Sequence, residues 1–345
     1  MVAPRLFPVL VALATSLIAQ NPPQPGANRP DESRIDRYSL DHAVAFVDTV
    51  ATTWGRRHSC VTCHTNGLHL ISRAWSGRTS AALDSNRAFA RAYLKSYIED
   101  GRKPSGRKGQ VEGLVATAAM LAIGEMKTGK KLSKAAASGL TWALGKQDAQ
   151  GHWPGWLKCG WPPFEVDDHY GVTLVAVAIG MSPPAFRRRE PIRAGVDRLR
   201  RYLRKRPPQN PHQKGMMIWA AQHLTGIADR LERASWVTEL RGLQQDDGGW
   251  SLSALGAGQW SRSDGKDLDT SSDAYATAFT VFVLRQARAP KRDPAIQRGV
   301  AWLKSRQRAS GRWYVRSPRR DGKHYISHAA THLALMALQE VEEQR

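Results

Sequence analysis

The sequence predicts an all-α protein built from paired helices. From about Leu40 onward, stretches that are apolar all round alternate with stretches that are apolar on one side and charged on the other. A helix that is apolar all round must be buried on every side, whereas a one-sided helix faces solvent. Strand patterns are nearly absent, and one short turn sequence recurs between the two kinds of stretch. This combination is typical of helix-pair repeats with one inner and one outer helix each.

The predicted helices follow one another along the chain in this alternation. The first pair is assigned to Ala43–Trp54 as the outer helix and His64–Trp75 as the inner helix. The later one-sided, outer helices are predicted at Arg87–Glu99, Lys134–Lys146, Pro191–Lys205, Leu231–Leu243 and Pro294–Arg306. The later apolar, inner helices are predicted at Gly113–Gly124, Gly171–Gly180, Met216–Ile227, Ala274–Leu284 and Ala329–Leu338.

Three turns from an outer to an inner helix share the same spacing of glutamine, glycine and tryptophan. We expect the glutamine to bond the last free carbonyls of the outer helix, the glycine to allow a left-handed turn, and the tryptophan to pack over it. Three occurrences at identical spacing make the repeat specific. They are Gln147-Gly151-Trp153, Gln244-Gly248-Trp250 and Gln307-Gly311-Trp313.

These turns resemble the QW repeats of the squalene–hopene and oxidosqualene cyclase superfamily, which shares its α/α toroid with the protein prenyltransferase β-subunit. The resemblance implies a single α6/α6 toroid, a barrel of six helix pairs, over residues 40–345. It is carried by the third, fifth and sixth pairs, since the others lack the Gln-Gly-Trp turn.

A cofactor motif lies in the turn of the first pair. Cys60-Val61-Thr62-Cys63-His64 has the spacing of a c-type haem attachment site, in which two thioethers hold the porphyrin and the histidine binds iron. A surface disulfide, a thiol pair and half of a metal site are the other interpretations of these residues. The prediction is covalent haem c through Cys60 and Cys63, with His64 as the proximal iron ligand.

Closure of the barrel would place the last pair beside the first. All inner helices of such a barrel start at one end, so the turns before them gather at one mouth. His324 and His328, at the start of the last inner helix, are therefore the predicted residues on the distal side of the haem. An open sixth coordination position is equally compatible with the sequence.

An acidic motif precedes the third inner helix. Glu165-Val166-Asp167-Asp168 resembles the Asp-x-Asp-Asp motif of class II terpene cyclases, in which one carboxyl group retains its proton and donates it to an alkene. The resemblance implies Asp167 as the general acid, with Glu165 and Asp168 as its supports and His169 beside them. The motif departs in its first acid, which is Glu, and N-capping of the helix is the alternative interpretation.

The third cysteine, Cys159, lies just before this motif. The prenyltransferases hold zinc with Asp, Cys and His at the same mouth, so the resemblance implies a zinc site from Cys159, Asp167 or Asp168, and His169 as a minority alternative. The family's Asp-x-Cys spacing is missing, and a small buried apolar role is the other interpretation.

The N-terminus and the charge bear on compartment and partners. A basic start followed by the apolar run Leu6–Ile18 predicts a signal peptide over residues 1–19, then a Pro-rich leader over residues 20–39. We therefore expect an exported protein, periplasmic or secreted. The net charge of +21 is compatible with peripheral contact to an anionic membrane surface, but the scattered arginines carry no nucleic-acid signature.

Three functions remain open at this point. The first is an exported c-type haem protein on a cyclase-like toroid, which transfers electrons to a redox partner or oxidises a bound ligand. The second is a class II cyclase or isomerase with Asp167 as general acid, acting on an apolar or terpenoid-like small molecule. The third is a ligand-binding or sensory module without catalysis.

Overall fold

The computed structural model describes residues 26–129 and 131–342, a chain made of helices and connecting loops. No β-strand forms in these residues, which contain only two isolated bridges, Arg34 with Arg308 and Trp250 with Asp273. The helices are α1 (Leu40–His58), α2 (Asn66–Trp75), α3 (Ala81–Ile98), α4 (Gln110–Gly129), α5 (Lys134–Gly145), α6 (His169–Met181), α7 (Pro184–Arg187), α8 (Ile192–Lys205), α9 (Pro211–His223), α10 (Arg230–Gly242), α11 (Leu252–Gly256), α12 (Ala274–Gln286), α13 (Pro294–Lys304) and α14 (Tyr325–Glu342).

The helices form two layers. The helices α2, α4, α6, α9, α12 and α14 are buried along most of their length and pack in that order, with α14 returning to pack on α2. The helices α1, α3, α5, α8, α10 and α13 bury one face and surround them. The prediction of an all-α toroid with inner and outer helices is confirmed.

The inner helices differ from their predicted bounds: α4, α6, α12 and α14 extend beyond the predicted ranges, whereas α2 and α9 are displaced for identifiable reasons. Helix α2 begins at Asn66 rather than His64, because residues 60–65 form a turn held by the Asn66 side chain. Helix α9 begins at Pro211 rather than Met216, since Asn210 caps it by accepting from the backbone N–H of Gln213 (2.9 Å). It ends at His223, although buried apolar residues continue to Ile227 in the loop that follows.

The three repeated turns are built alike, but not as the sequence suggested. Each glutamine Nε2 donates to the carbonyl of its own turn glycine rather than to the end of the outer helix, at 3.0, 2.8 and 3.2 Å in chain order. The helix carbonyl is bonded instead by the tryptophan. The indole N–H donates to Ala143, Leu240 and Leu303 in turn, at 2.9, 2.7 and 2.8 Å.

The turn glycines also bring successive outer helices together. Gly151, Gly248 and Gly311 have φ values of 101°, 90° and 91°, a region that favours glycine. A Cβ on Gly311 would lie 2.0 Å from the carbonyl oxygen of His42, near the start of α1. The turn after α13 therefore rests directly on the first outer helix, and this contact contributes to ring closure.

The segment before α1 lies along the last turn of the ring. Asn28 Nδ2 donates to the carbonyl of Lys323 (2.8 Å), and Glu32 forms an ion pair with buried Arg312 (2.7 Å). The predicted signal peptide and the Pro-rich start of the leader lie outside the described residues. Among the helices that the structure describes, none is long and apolar enough to cross a membrane.

Candidate functional site

The Cys-x-x-Cys-His motif forms a tight turn between α1 and α2. Asn66 holds this turn, because its Oδ1 accepts from the backbone N–H of Thr62 and its Nδ2 donates to the carbonyl of Cys60, both at 2.9 Å. Gly67 allows the close approach, since a Cβ there would lie 2.4 Å from the carbonyl oxygen of Thr62. Asn66 and Gly67, which hold the turn, lie directly after the Cys-x-x-Cys-His motif and are not part of it.

The structure brings His64, His324 and His328 together. One ring nitrogen of each lies within 4.8 Å of those of the other two, and this is the one such group of three or more potential metal ligands in residues 26–129 and 131–342. His64 precedes α2 and the other two flank the start of α14, so the packing of α14 on α2 produces the cluster. This placement is the one expected from ring closure.

Thr65 links two of these imidazoles. Its hydroxyl oxygen lies 2.7 Å from Nδ1 of His64 and 3.1 Å from Nδ1 of His328. A hydroxyl carries one proton, so it donates to one ring and accepts from the Nδ1–H of the other. That second ring has its lone pair on Nε2, the tautomer that binds a metal through Nε2.

Burial keeps all three rings neutral. It lowers the pKa of His64 to about 3, with a further contribution from the neighbouring His324, and it lowers the pKa of His324 to about 4. The pKa of His328 falls well below its usual value for the same reason. The Nε2 atom of His324 is buried and has no hydrogen-bond partner among the described residues.

A cavity of about 420 Å³ opens beside the cluster. Its walls are largely apolar and aromatic, with the guanidinium of Arg319 at an exposed position. Cys63 and His64 border it, whereas Cys60 is half-buried and does not. The principal lining residues are Trp54, Cys63, His64, Met120, Leu157, Cys159, Trp161, Phe164, Arg319 and Tyr325.

Cys159 lines this cavity, whereas its predicted zinc partners Asp167, Asp168 and His169 do not. Its backbone N–H donates to the carbonyls of Phe164 (3.1 Å) and Glu165 (3.0 Å), which folds the loop before α6 back on itself. Burial raises the pKa of the Cys63 and Cys159 thiols, so both are protonated at neutral pH. Within the described chain, Cys159, the two aspartates and His169 do not form a metal-binding group, so the structure does not assemble the zinc site.

Glu165 is the centre of a buried polar network. Its carboxylate contacts His212 Nδ1 and accepts from Asn210 Nδ2 (2.8 Å) and Gln213 Nε2 (3.2 Å). The other ring nitrogen of His212 lies 3.0 Å from the hydroxyl of Tyr275. Burial by itself would raise the pKa of Glu165. The contact with His212 and the hydrogen bond from Asn210 outweigh this effect, so the net pKa is lowered.

The two aspartates of the motif face different partners. Asp168 contacts His152 and accepts from the hydroxyl of Tyr202 (2.6 Å), and its side chain makes no capping bond to α6. Asp167 is half-buried and accepts from the backbone N–H of His169 (2.9 Å) and from Gln213 (3.1 Å). Glu165 and Asp167 therefore share the Gln213 donor, whereas Asp168 faces Tyr202 and His152 instead.

His169 is buried between these carboxylates. Neither of its ring nitrogens has a hydrogen-bond partner among the described residues. Burial lowers its pKa, against the charges of Asp167, Glu165 and Asp168, which raise it.

Three residues near the Cys-x-x-Cys-His turn were not predicted from the sequence. They are Thr65, Asn66 and Arg319, and nothing in their spacing marks them.

Comparisons with known proteins show the fold alone. No family model matches the chain, and no curated protein does. Among solved structures, it is similar to the type II terpene cyclase MstE from Scytonema, with 13% identity over 87% of this chain and 96% of that chain, at a TM-score of 0.52. It is also similar to a glycosyl hydrolase family 88 protein from Bacteroides vulgatus (11% identity, 88% and 99% covered, TM-score 0.53) and to a polysaccharide lyase (11% identity, 87% and 96% covered, TM-score 0.52).

Proposed function

We propose that this toroid is an exported c-type haem protein with the haem held at the mouth of the barrel. The supporting observation is the meeting of His64, His324 and His328 around the Cys-x-x-Cys-His turn. Cys60 and Cys63 would tether the porphyrin, His64 would bind iron from one side, and His324 or His328 from the other. When bound, haem c supplies one-electron redox chemistry.

The residues present fit such a group. The cavity next to Cys63 has an apolar and aromatic lining, suited to a porphyrin face, and Arg319 offers a cation to a propionate. The buried Nε2 of His324 lacks a partner among the described residues, so an iron ligand role would remove an unsatisfied polar atom. Cys60 lies outside the cavity lining, so its tether needs a separate test.

The test compares three cysteine variants with the native chain, all expressed in a bacterial periplasm with c-type maturation. The native protein is expected to show a pyridine haemochrome absorbance that survives denaturation. Cys60→Ala and Cys63→Ala should each reduce the covalent haem, whereas Cys159→Ala, which changes a thiol in the same cavity outside the motif, should retain it. Native protein without covalent haem would reject the proposal.

Restricting access to the cavity distinguishes electron transfer from oxidation of a bound ligand. A ligand that is oxidised must enter beside the haem, so Leu157→Trp, at an exposed position of the cavity wall, should slow turnover of an apolar ligand but leave haem content and reduction by small donors unchanged. Equal effects on both rates would favour simple electron transfer to a redox partner. Reversible binding of an apolar ligand without turnover in either redox state would favour a sensory module.

A class II cyclase is the second candidate. The supporting observation is the fold, shared with MstE, one of whose variants is known in complex with geranylgeranyl dihydroxybenzoate as substrate. Lyases and glycosidases share this fold as well, so the toroid is a scaffold compatible with catalysis. Asp167→Asn should then abolish cyclisation of a polyprenyl substrate while leaving haem content unchanged, with Asp269→Asn as the control at an exposed position. Unchanged cyclisation in Asp167→Asn would remove Asp167 from the reaction.

A further inference from the structure

A second pocket, lined by five arginines, lies away from the haem cavity. It has a volume of about 180 Å³ and lies between the loop before α12 and the turns after α13. None of its lining residues borders the haem cavity. The arginines are Arg34, Arg262, Arg306, Arg308 and Arg316.

Two of the five arginines are neutralised by carboxylates. Arg262 forms ion pairs with Asp264 and Asp321, and Arg316 forms ion pairs with Asp269 and Asp321. For Arg34, Arg306 and Arg308, no carboxylate lies within ion-pair distance in the part of the chain that the structure describes. The pocket therefore keeps a surplus of positive charge.

The guanidinium groups of Arg306 and Arg308 are held in place but incompletely bonded. Arg306 lies over the ring of Trp302 (5.2 Å to the centroid), and Arg308 lies over the ring of Tyr314 (5.6 Å). The Nε atom of each is buried and has no hydrogen-bond partner among the described residues. A buried N–H without an acceptor is costly, so the protein's own groups do not fully satisfy either guanidinium.

We propose that this pocket binds an oxyanion group, carboxylate or sulfate, carried by a small ligand. Planar guanidinium groups form paired N–H···O bonds with such groups, and their orientation by an aromatic ring reduces the entropy lost on binding. The pocket is large enough for the anionic group and a few neighbouring atoms, and the rest of the ligand would extend into solvent.

One carboxyl group of the pocket bears on this charge. Asp273 accepts from the backbone N–H groups of Ala276 and Leu252, and burial raises its pKa to about 7. It is therefore partly protonated at neutral pH and opposes an anion only in part. The other charged or titratable groups that line the pocket are Asp269, Arg34, Arg262, Arg306, Arg308, Tyr314 and Arg316.

The test measures binding of inorganic sulfate and of gluconate by calorimetry at constant ionic strength. The native chain is expected to bind at least one of them saturably, with tighter sulfate binding indicating a sulfate-type ligand and tighter gluconate binding a carboxylate. Arg306→Gln/Arg308→Gln should weaken the affinity by about tenfold or more. Arg189→Gln/Arg201→Gln, which removes the same charge from exposed positions around α8, should leave it unchanged.

A third variant covers the case in which the double variant does not fold. Arg34→Gln changes an exposed side chain of the pocket, so it should preserve the melting temperature and still weaken binding by about threefold. Two results would overturn the proposal: no saturable binding of either anion to the native chain, or equal losses of affinity in the pocket variants and in the α8 control.

Discussion

His64 and His328 come from the first and last helix pairs, yet their Nδ1 atoms lie 2.7 and 3.1 Å from one hydroxyl, that of Thr65. This shared contact exists because α14 packs against α2. It fixes the orientation of both rings at the mouth of the barrel. The contact also joins the first helix pair to the last through a buried polar group.

Thr65→Val should disturb both histidines at once. The variant leaves two buried ring nitrogens without the hydroxyl, so we expect a loss of about 1 to 3 kcal/mol in the free energy of unfolding. If haem is bound, its visible spectrum should also change, because the rings lose their orientation. Thr65→Ser keeps the hydroxyl and should restore the native spectrum. A spectrum that is the same in all three proteins would remove Thr65 from the positioning of the rings.

Gly311→Ala should weaken ring closure. A Cβ at this position would lie 2.0 Å from the carbonyl oxygen of His42, and φ is 91°, so the turn must move away from α1. We expect a loss of about 3 kcal/mol or more, measured by denaturant unfolding. Gly322→Ala is the control, because its φ is 79° but no atom lies within 4 Å of its Cβ, and it should cost about 1 kcal/mol. Equal losses would show that backbone strain alone accounts for the effect.

Glu165→Gln should destabilise the loop before α6. The carboxylate of Glu165 is buried in contact with His212 and accepts from Asn210 and Gln213, and changing a buried, hydrogen-bonded carboxylate so that its donors lose their acceptor costs about 1 to 3 kcal/mol or more. The control is Glu190→Gln, which breaks an exposed pair with Arg193 and should cost at most about 1 kcal/mol. A loss no larger than that of the control would contradict a stabilising role for the buried Glu165 carboxylate.

The same residue predicts a dependence of stability on pH. The folded pKa of Glu165 is lowered, so its contribution is present above the unfolded value of about 4.3 and is lost as the pH falls through the lower folded pKa. Native protein should therefore lose stability in acid more steeply than Glu165→Gln does. Parallel curves of melting temperature against pH would contradict this assignment.

Asp273 predicts a pH dependence of the opposite sign. Its folded pKa is raised to about 7, so its contribution is present below the unfolded value of about 3.9 and is lost as the pH rises through about 7. Between these pH values, Asp273→Asn should lose less free energy of unfolding than the native protein does, by on the order of 1 kcal/mol. The difference is this small because the partial exposure of Asp273 screens the cost of burying its charge. A curve of the same slope in both proteins would contradict the raised pKa.

Much of the fold followed from patterns in the chain. Apolar stretches such as Gly171–Gly180 must be buried on all sides, and α6 is buried over this stretch except at its C-terminal end. The bounds of α9 were wrong because burial continues through Leu224 and Ile227, beyond the end of the helix. Hydrophobic periodicity reports burial, and a loop that packs against the core carries the same composition as a helix.

The candidate site was predictable only in part. Ring closure predicted His324 and His328 beside His64, since it depends on the order of helix pairs alone. The partners of Glu165, Asp167 and Asp168 could not be read from their shared motif, because Glu165 and Asp167 contact α9 whereas Asp168 contacts α8. Their roles as cyclase residues stay a prediction.

The sequence by itself determined the alternation of inner and outer helices, the three glycine turns and the position of the Cys-x-x-Cys-His motif before α2. These depend on local periodicity and spacing. Only the tertiary structure decided that the tryptophan N–H bonds the outer helix, that Thr65 serves two histidines, and that Arg306 and Arg308 share one pocket. The contact of Thr65 with His328 spans 263 residues, and the pocket of Arg306 and Arg308 includes residues from Arg34 to Arg316, so the packing of whole helices sets both. The tryptophan bond spans ten residues and depends on how the turn folds back on its own helix.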